Sequence, residues 1–205
     1  MFEITAIQAQ VKDKERCNIY LDGQFYCGLK AETVYRYQLQ VGQKIEQSRL
    51  EEIQFENEKM QALDKAFSYL SATMKTERQM HDYLCKKGYL PSVCDYVLEK
   101  LYYYKLLDDK LYTKQYIKSA SKTKGARRIS LELRQKGVDV DMIDDALITI
   151  EDAEQRAKEV LAKYMRHKAN TKENLAKAFR YLLSRGFNYD DVKSALANYG
   201  MEEEY

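Results

Sequence analysis

The sequence predicts a mainly α-helical protein: a tandem array of three three-helix repeats, elongated and curved, behind a small N-terminal cap that contains a β-hairpin. Three observations predict it. A base-glycine pair recurs at a fixed spacing, as Lys87-Gly88, Lys136-Gly137 and Arg185-Gly186, 49 residues apart both times. One Pro and eight Gly in 205 residues are too few for the many turns of an all-β chain. Asp22-Gly23 between two apolar runs is a hairpin signal, because both central positions of that turn need positive φ.

Along the chain, the cap comes first, over 1–59. Its opening residues alternate in strand fashion, and the run Cys17 to Cys27 folds on Asp22-Gly23. A two-residue loop sets Leu21 against Gln24 and Asn18 against Cys27. That register points Cys17 and Cys27 to opposite faces, where they cannot bond. Residues 31–38 read as one short helix, and Gly42 marks the turn after it.

The repeats are expected over 60–108, 109–150 and 151–205, the last with an acidic tail. Six apolar columns keep register with the glycines. Leu84, Leu133 and Leu182 lie four before, and Tyr89, Val138 and Phe187 one after. Cys94, Ile143 and Val192 lie six after, and Leu98, Leu147 and Leu196 ten after. Upstream, Leu63, Tyr112 and Leu161 form a fifth column, and Phe67, Tyr116 and Met165 a sixth. First helices are expected near 60–72, 109–120 and 152–166. Each second helix ends on its glycine, which serves as a left-handed C-cap. Third helices follow near 91–103, 140–149 and 189–199. Thr76-Glu-Arg-Gln79 has the capping-box pattern, Pro91 suits a first turn, and Asp139 or Asp141 and Asn188 suit N-caps. A unit this small has little core of its own, so neighbouring units should share apolar faces.

Composition narrows the function. No apolar run approaches the ~18 residues of a membrane helix, and the N-terminus has no signal-peptide pattern, so a cytoplasmic protein without membrane contact is expected. No nucleophile elbow, P-loop, dinucleotide fingerprint or HExxH motif occurs, so no enzyme, catalytic residue or cofactor is expected. His81 and Cys85 share a helix face at i,i+4, which is two ligands and not a metal site. Asp108-Asp109 diverge by about 100° on a helix, so a cap and a first-turn acid explain them better than a catalytic pair.

Charge is the stronger signal. The total is only +2, but residues 110–136 hold nine bases and one acid, Glu132, for a local net charge of +8. Seven acids and no base follow over 139–154. Lys110, Lys114, Lys118 and Lys122 are spaced i,i+4, an unbroken like-charged line along the first helix of repeat 2 that costs helix stability. Lys124, Arg127, Arg128, Arg134 and Lys136 follow. On a helical wheel Ala126, Ile129 and Leu133 face inward, whereas Arg127, Leu131 and Arg134 face outward. These ten cationic and apolar positions are the candidate partner-binding site; the alternative is that Leu131 packs on a neighbouring repeat and the lysines are only solvated. Phosphates and an acidic protein surface both fit such a stripe. The 18 tyrosines could stack on bases, but Tyr112 and Tyr116 fall at core spacing, and at least one of Tyr102, Tyr103 and Tyr104 must be exposed.

The chain resembles the RecX family of recombination regulators. The resemblance rests on Ala66-Phe-Ser-Tyr-Leu70, Thr76-Glu77, Leu84, Lys87-Gly88, Val97-Leu98 and Leu101 in repeat 1. It continues through Leu107-Asp108-Asp109, Tyr112, Tyr116, Gly125-Ala-Arg-Arg-Ile129, Leu133, Lys136-Gly137-Val138, Ile143 and Ala146-Leu147. It covers about 60–150 well; the third repeat is similar in plan, and the hairpin cap is similar to an extension in some branches of the family. Thr76 departs from the commoner Ser. The resemblance implies tandem three-helix repeats and a monomeric regulator that binds the RecA recombinase filament on DNA, with possible direct DNA contact. It implies inhibition of strand exchange, ATP hydrolysis and co-protease activity, with no catalytic residue to carry over. A stand-alone DNA-binding helical repeat protein is the alternative.

Overall fold

The computed structural model describes residues 1–11, 13–148 and 152–199. Four strands open the chain: β1 (Phe2–Ala9), β2 (Arg16–Leu21), β3 (Gln24–Lys30) and β4 (Lys44–Ile45), in the order β3-β2-β1-β4 with antiparallel pairing. Helix α1 (Ala31–Arg36) joins β3 to β4. Asp22 and Gly23 take φ of +47° and +84°, as the hairpin turn requires.

The register corrects one expectation. Leu21 does pair with Gln24, but a shift between Ile19 and Tyr20 sets Cys27 against Ile19 and Asn18 against Gly28. The irregularity adds a residue on one strand, which inverts face assignment beyond it. Cys17, Ile19, Cys27 and Leu29 therefore share one face, and Cys17 opposes Leu29. Both cysteines are free thiols.

The three-helix units follow: α2 (Gln47–Leu70), α3 (Glu77–Lys86) and α4 (Pro91–Tyr103); α5 (Asp109–Ala120), α6 (Ala126–Gln135) and α7 (Val140–Ile148); α8 (Ala153–Met165), α9 (Lys172–Ser184) and α10 (Tyr189–Tyr199). Helix α2 begins at Gln47 rather than near 60. Its first turns already have a core to cover, since Leu50, Ile53 and Asn57 lie along one buried stripe. The acidic tail expected after 200, and the last residue of the helix expected over 140–149, lie outside the described residues.

The chain forms two compact units. The first holds residues 1–73 and 80–106. Ile4, Ile19, Leu21, Cys27 and Leu29 of the sheet pack with Leu50 and Ile53 of α2. Asn57 ties α2 to the end of β3, its Oδ1 accepting from Lys30 N (2.8 Å) and Thr33 Oγ1 (3.0 Å). Val93, Val97 and Leu101 of α4 are fully buried.

The second unit holds residues 74–79 and the chain from Leu107 onward. The apolar columns supply its cores: Tyr112, Ile129, Leu133, Val138 and Ile143 in one repeat, Leu161, Met165, Leu182, Phe187 and Val192 in the next. The sixth column holds least well. Its first member, Phe67 in the other unit, is 38% exposed.

Successive repeats meet inside this unit by one device used twice. Each time, the C-terminal end of a middle helix docks on the N-terminus of the preceding repeat's middle helix. Thr76 and Gln79 form the expected capping box, with Gln79 N donating to Thr76 Oγ1 (3.2 Å) and Thr76 N to Gln79 Oε1 (3.1 Å). The Thr76 hydroxyl then donates to the carbonyl of Lys136 (2.6 Å). One repeat later Gly125 N donates to the carbonyl of Arg185 (3.0 Å). The last carbonyls of a helix have no partner within it, and these bonds satisfy one at each junction.

Candidate partner-binding site

The site is assembled on the second repeat. Asp108 caps α5, its carboxylate accepting from Leu111 N (2.8 Å). Asp109 accepts from Glu77 N (2.9 Å), and burial raises its pKa above the usual carboxylate value. The two acids are thus a cap and a first-turn tether, as their spacing predicts.

Lys110, Lys114 and Lys118 lie exposed along α5. Lys122 is a correction: α5 ends at Ala120, so Lys122 sits in the turn beyond it, and the helical line is three lysines long. Lys118 stands in the last turn, where a cation suits the helix dipole. Lys110 and Lys114 line one side of a cleft whose other side is Met142, Asp145 and Ala146 of α7.

Helix α6 buries Ile129 and Leu133 completely and turns Arg127, Leu131 and Arg134 outward, as the wheel predicts. Leu131 is 47% exposed. With Arg127, Ser130 and Arg134 it forms one wall of a groove, closed by Asp144 and Leu147 of α7. Helix α7 therefore backs both the lysine cleft and the arginine groove. Among the described residues, no ion pair engages Lys110, Lys114, Lys118, Lys122, Arg127 or Arg134.

Two of the remaining cations of the stripe, half-buried Lys124 and exposed Arg128, are bonded to Glu132. Lys124 Nζ lies 2.6 Å from Glu132 Oε2 and Arg128 Nε 2.9 Å from Oε1. The Tyr116 hydroxyl donates to the same carboxylate at 2.6 Å, and Lys136 Nζ sits 5.5 Å from the centre of the Tyr116 ring. Burial alone would raise the Glu132 pKa. Hydrogen bonds from Lys124, Tyr116 and Arg128 outweigh that and bring it to about 2. Burial and the bond to Glu132 raise the Tyr116 pKa. The stripe thus splits into cations without an ion pair, Arg127 and Arg134 beside Leu131 among them, and a network in which Lys124 and Arg128 share the one negative charge of Glu132.

Helix α6 is anchored at its N-terminus by close backbone approach. A Cβ on Gly125 would lie 2.2 Å from the carbonyl oxygen of Gly186, and a Cβ on Gly186 would lie 2.4 Å from Arg128 N. Those contacts fix the start of α6, and with it the direction of Arg127 and Arg128.

Models of four family domains match this chain: the regulatory protein RecX N-terminal domain over residues 2–46, and the RecX first, second and third three-helix domains over 62–101, 108–147 and 151–196. The chain belongs to the RecX family of regulatory proteins. A regulatory protein RecX of Clostridium perfringens is 32% identical over 200 residues, which are 95% of this chain and 94% of that protein. One from Bacillus velezensis is 33% identical over 199 residues, covering 94% of this chain and 76% of that protein. A crystal structure of regulatory protein RecX superposes with a TM-score of 0.60 at 27% identity, over 94% of this chain and 98% of the other. The RecX structure from Lactobacillus salivarius, at 24% identity and TM-score 0.61, covers 70% of this chain and 97% of its own; it shares the fold.

Glu132 and Tyr116 were absent from the sequence-derived site. The signal for Glu132 was present, since it is the one acid in the +8 stretch and stands four residues after Arg128. Nothing local marked Tyr116, which meets Glu132 only when α5 packs on α6. Tyr102, Tyr103 and Tyr104 are all exposed, at 42%, 77% and 54%. Among the described residues no group of three His, Cys, Asp or Glu could hold a metal ion, and no helix is long and apolar enough to cross a membrane.

Proposed function

We propose that this protein binds the RecA recombinase filament on DNA and restrains its strand exchange, ATP hydrolysis and co-protease activity. Family membership motivates the partner. The observation that carries the site is the unpaired Arg127 and Arg134 flanking half-exposed Leu131 over the α6–α7 groove. An apolar anchor ringed by free cations suits an acidic protein surface, because the anchor supplies burial and the charges supply orientation. The test is the ATPase rate of a cognate RecA filament titrated with the protein. The wild type should lower the rate. Arg127→Glu with Arg134→Glu should lose the effect while keeping the helical circular dichroism signal. Unchanged inhibition by that variant sinks the site, and no inhibition by the wild type sinks the function.

Direct DNA binding is favoured by a separate observation, the solvated lysines of α5. They are strongly hydrated point charges suited to phosphate. A mobility shift of naked DNA without RecA, lost in Lys110→Glu with Lys114→Glu, would support it.

A further inference from the structure

The cleft between α5 and α7 has a volume of about 610 Å³, and small-molecule sites run from about 300 to 1,000 Å³. Lys110 and Lys114, one turn apart on α5, form one wall. Met142, Asp145 and Ala146, on one face of α7 at i, i+3 and i+4, form the other. The floor is held in place from behind. The buried Thr113 hydroxyl of α5 lies 3.8 Å from the Met142 sulfur. Ala146 brings only a methyl group to it. Lys110, Lys114 and Asp145 are exposed, and Met142 and Ala146 are half-buried. Among the described residues no ion pair engages Lys110, Lys114 or Asp145. The cleft thus offers two cations on one wall, and an apolar strip and a carboxylate on the other.

We infer that this cleft binds a guanine nucleoside polyphosphate. A ligand that answers all three features is anionic at one end, flat and apolar in its body, and a hydrogen-bond donor at the far edge. The phosphates lie against Lys110 and Lys114, whose ammonium groups suit them as compact point charges. The base lies over Met142 and Ala146, where the thioether sulfur packs on an aromatic ring. The edge of the base meets Asp145. An ionised carboxylate only accepts, through two oxygens side by side. Guanine alone among the common bases presents two adjacent donors, N1–H and the 2-amino group, and so pairs with both oxygens at once.

Adenine and cytosine each place a ring-nitrogen acceptor beside their amine, and that acceptor would face a carboxylate oxygen unpaired. The site shares two lysines with the DNA reading and goes beyond it, because its ligand is a free nucleotide and its test contains no DNA.

The experiment is equilibrium dialysis of the full chain against labelled GTP, with unlabelled nucleotides as competitors. GTP should bind. ITP, which lacks the 2-amino group, should compete roughly tenfold more weakly, the effect of one charge-assisted hydrogen bond. ATP and inorganic triphosphate should each compete more weakly than GTP. These comparisons use the wild type and need no variant to fold. Asp145→Asn turns one acceptor into a donor, so its preference should pass from GTP to xanthosine triphosphate. Ala146→Leu should fill the floor and abolish GTP binding, with the helical circular dichroism signal kept. No binding of GTP by the wild type overturns the inference. Triphosphate competing as well as GTP reduces the site to bare charge and overturns it too, as does ATP competing as well as GTP.

Discussion

Glu132 shows how one side chain divides a charged surface. Its side chain is 13% exposed and receives three hydrogen bonds, two of them from cations. Removing the charge by Glu132→Gln should cost about 1–3 kcal/mol, the range for an unsatisfied buried partner. Denaturant unfolding at neutral pH measures it. The pH dependence has a definite sign. The folded pKa, about 2, lies below the ordinary 4.5, so the contribution is complete above about 4.5 and is lost as pH falls towards 2. Glu132→Gln should therefore narrow its deficit against wild type as unfolding is repeated at acid pH. The same variant loosens Lys124 and Arg128, so tighter binding to an acidic partner should accompany lower stability. Thr76 is the matching residue at the other junction. Fully buried, it donates to the Lys136 carbonyl and accepts from Gln79. Thr76→Val keeps the shape and removes both bonds, and should lower stability by about 1–3 kcal/mol in the same assay.

At the scale of elements, the base-glycine pair ends the middle helix in every repeat, with φ of +82° at Gly88 and +86° at Gly137 and Gly186. The positive φ accounts for the column in the sequence. The surroundings do not repeat. A Cβ at Gly88 meets nothing within 4 Å, at Gly137 it meets the Arg78 side chain at 2.3 Å, and at Gly186 it meets the backbone of Arg128. Gly88→Ala should thus cost only the left-handed strain of about 1–2 kcal/mol. Gly137→Ala and Gly186→Ala should each cost more, because Arg78 Cβ at the first and Arg128 N at the second, both 2.4 Å away, are fixed to a helix backbone and cannot swing aside. Thermal midpoints should fall further for Gly137→Ala and Gly186→Ala than for Gly88→Ala. The termini of α5 carry the same lesson. Asp108 was legible as its cap, because a cap is a local hydrogen bond. The end at Ala120 also falls where the sequence places it, and what the sequence misjudges is the lysine line, whose i,i+4 spacing runs on to Lys122 while the chain turns into α6.

For the whole molecule, the total of +2 hides a +8 segment on the second repeat. Association with a charged partner should therefore weaken with salt despite near-neutrality. If the α5 lysines touch phosphate, each one replaced should reduce the slope of log affinity against log salt by about 0.9. Binding of Lys110→Glu and Lys114→Glu variants to duplex DNA across a salt series checks this. An unchanged slope would assign those lysines to solvent.

Periodicity, capping chemistry and local charge were all set down in the sequence, because each depends on residues within a turn or two of one another. They sufficed for the three-helix repeats, the Asp22-Gly23 hairpin, the outward face of α6 and the basic segment on it. The tertiary structure decided what depends on distant partners. It shifted the register between β2 and β3, which put Cys17 and Cys27 on one face. It extended α2 back to Gln47 to cover the sheet, and it left Phe67 exposed while its column mate Met165 is buried. It also drew Lys124 and Arg128 onto Glu132 and Tyr116, leaving Arg127, Leu131 and Arg134 outside. The physical reason is the same in each case. A side chain's free energy is set by the dielectric and the partners around it once elements pack, and spacing along the chain specifies only which face it starts from.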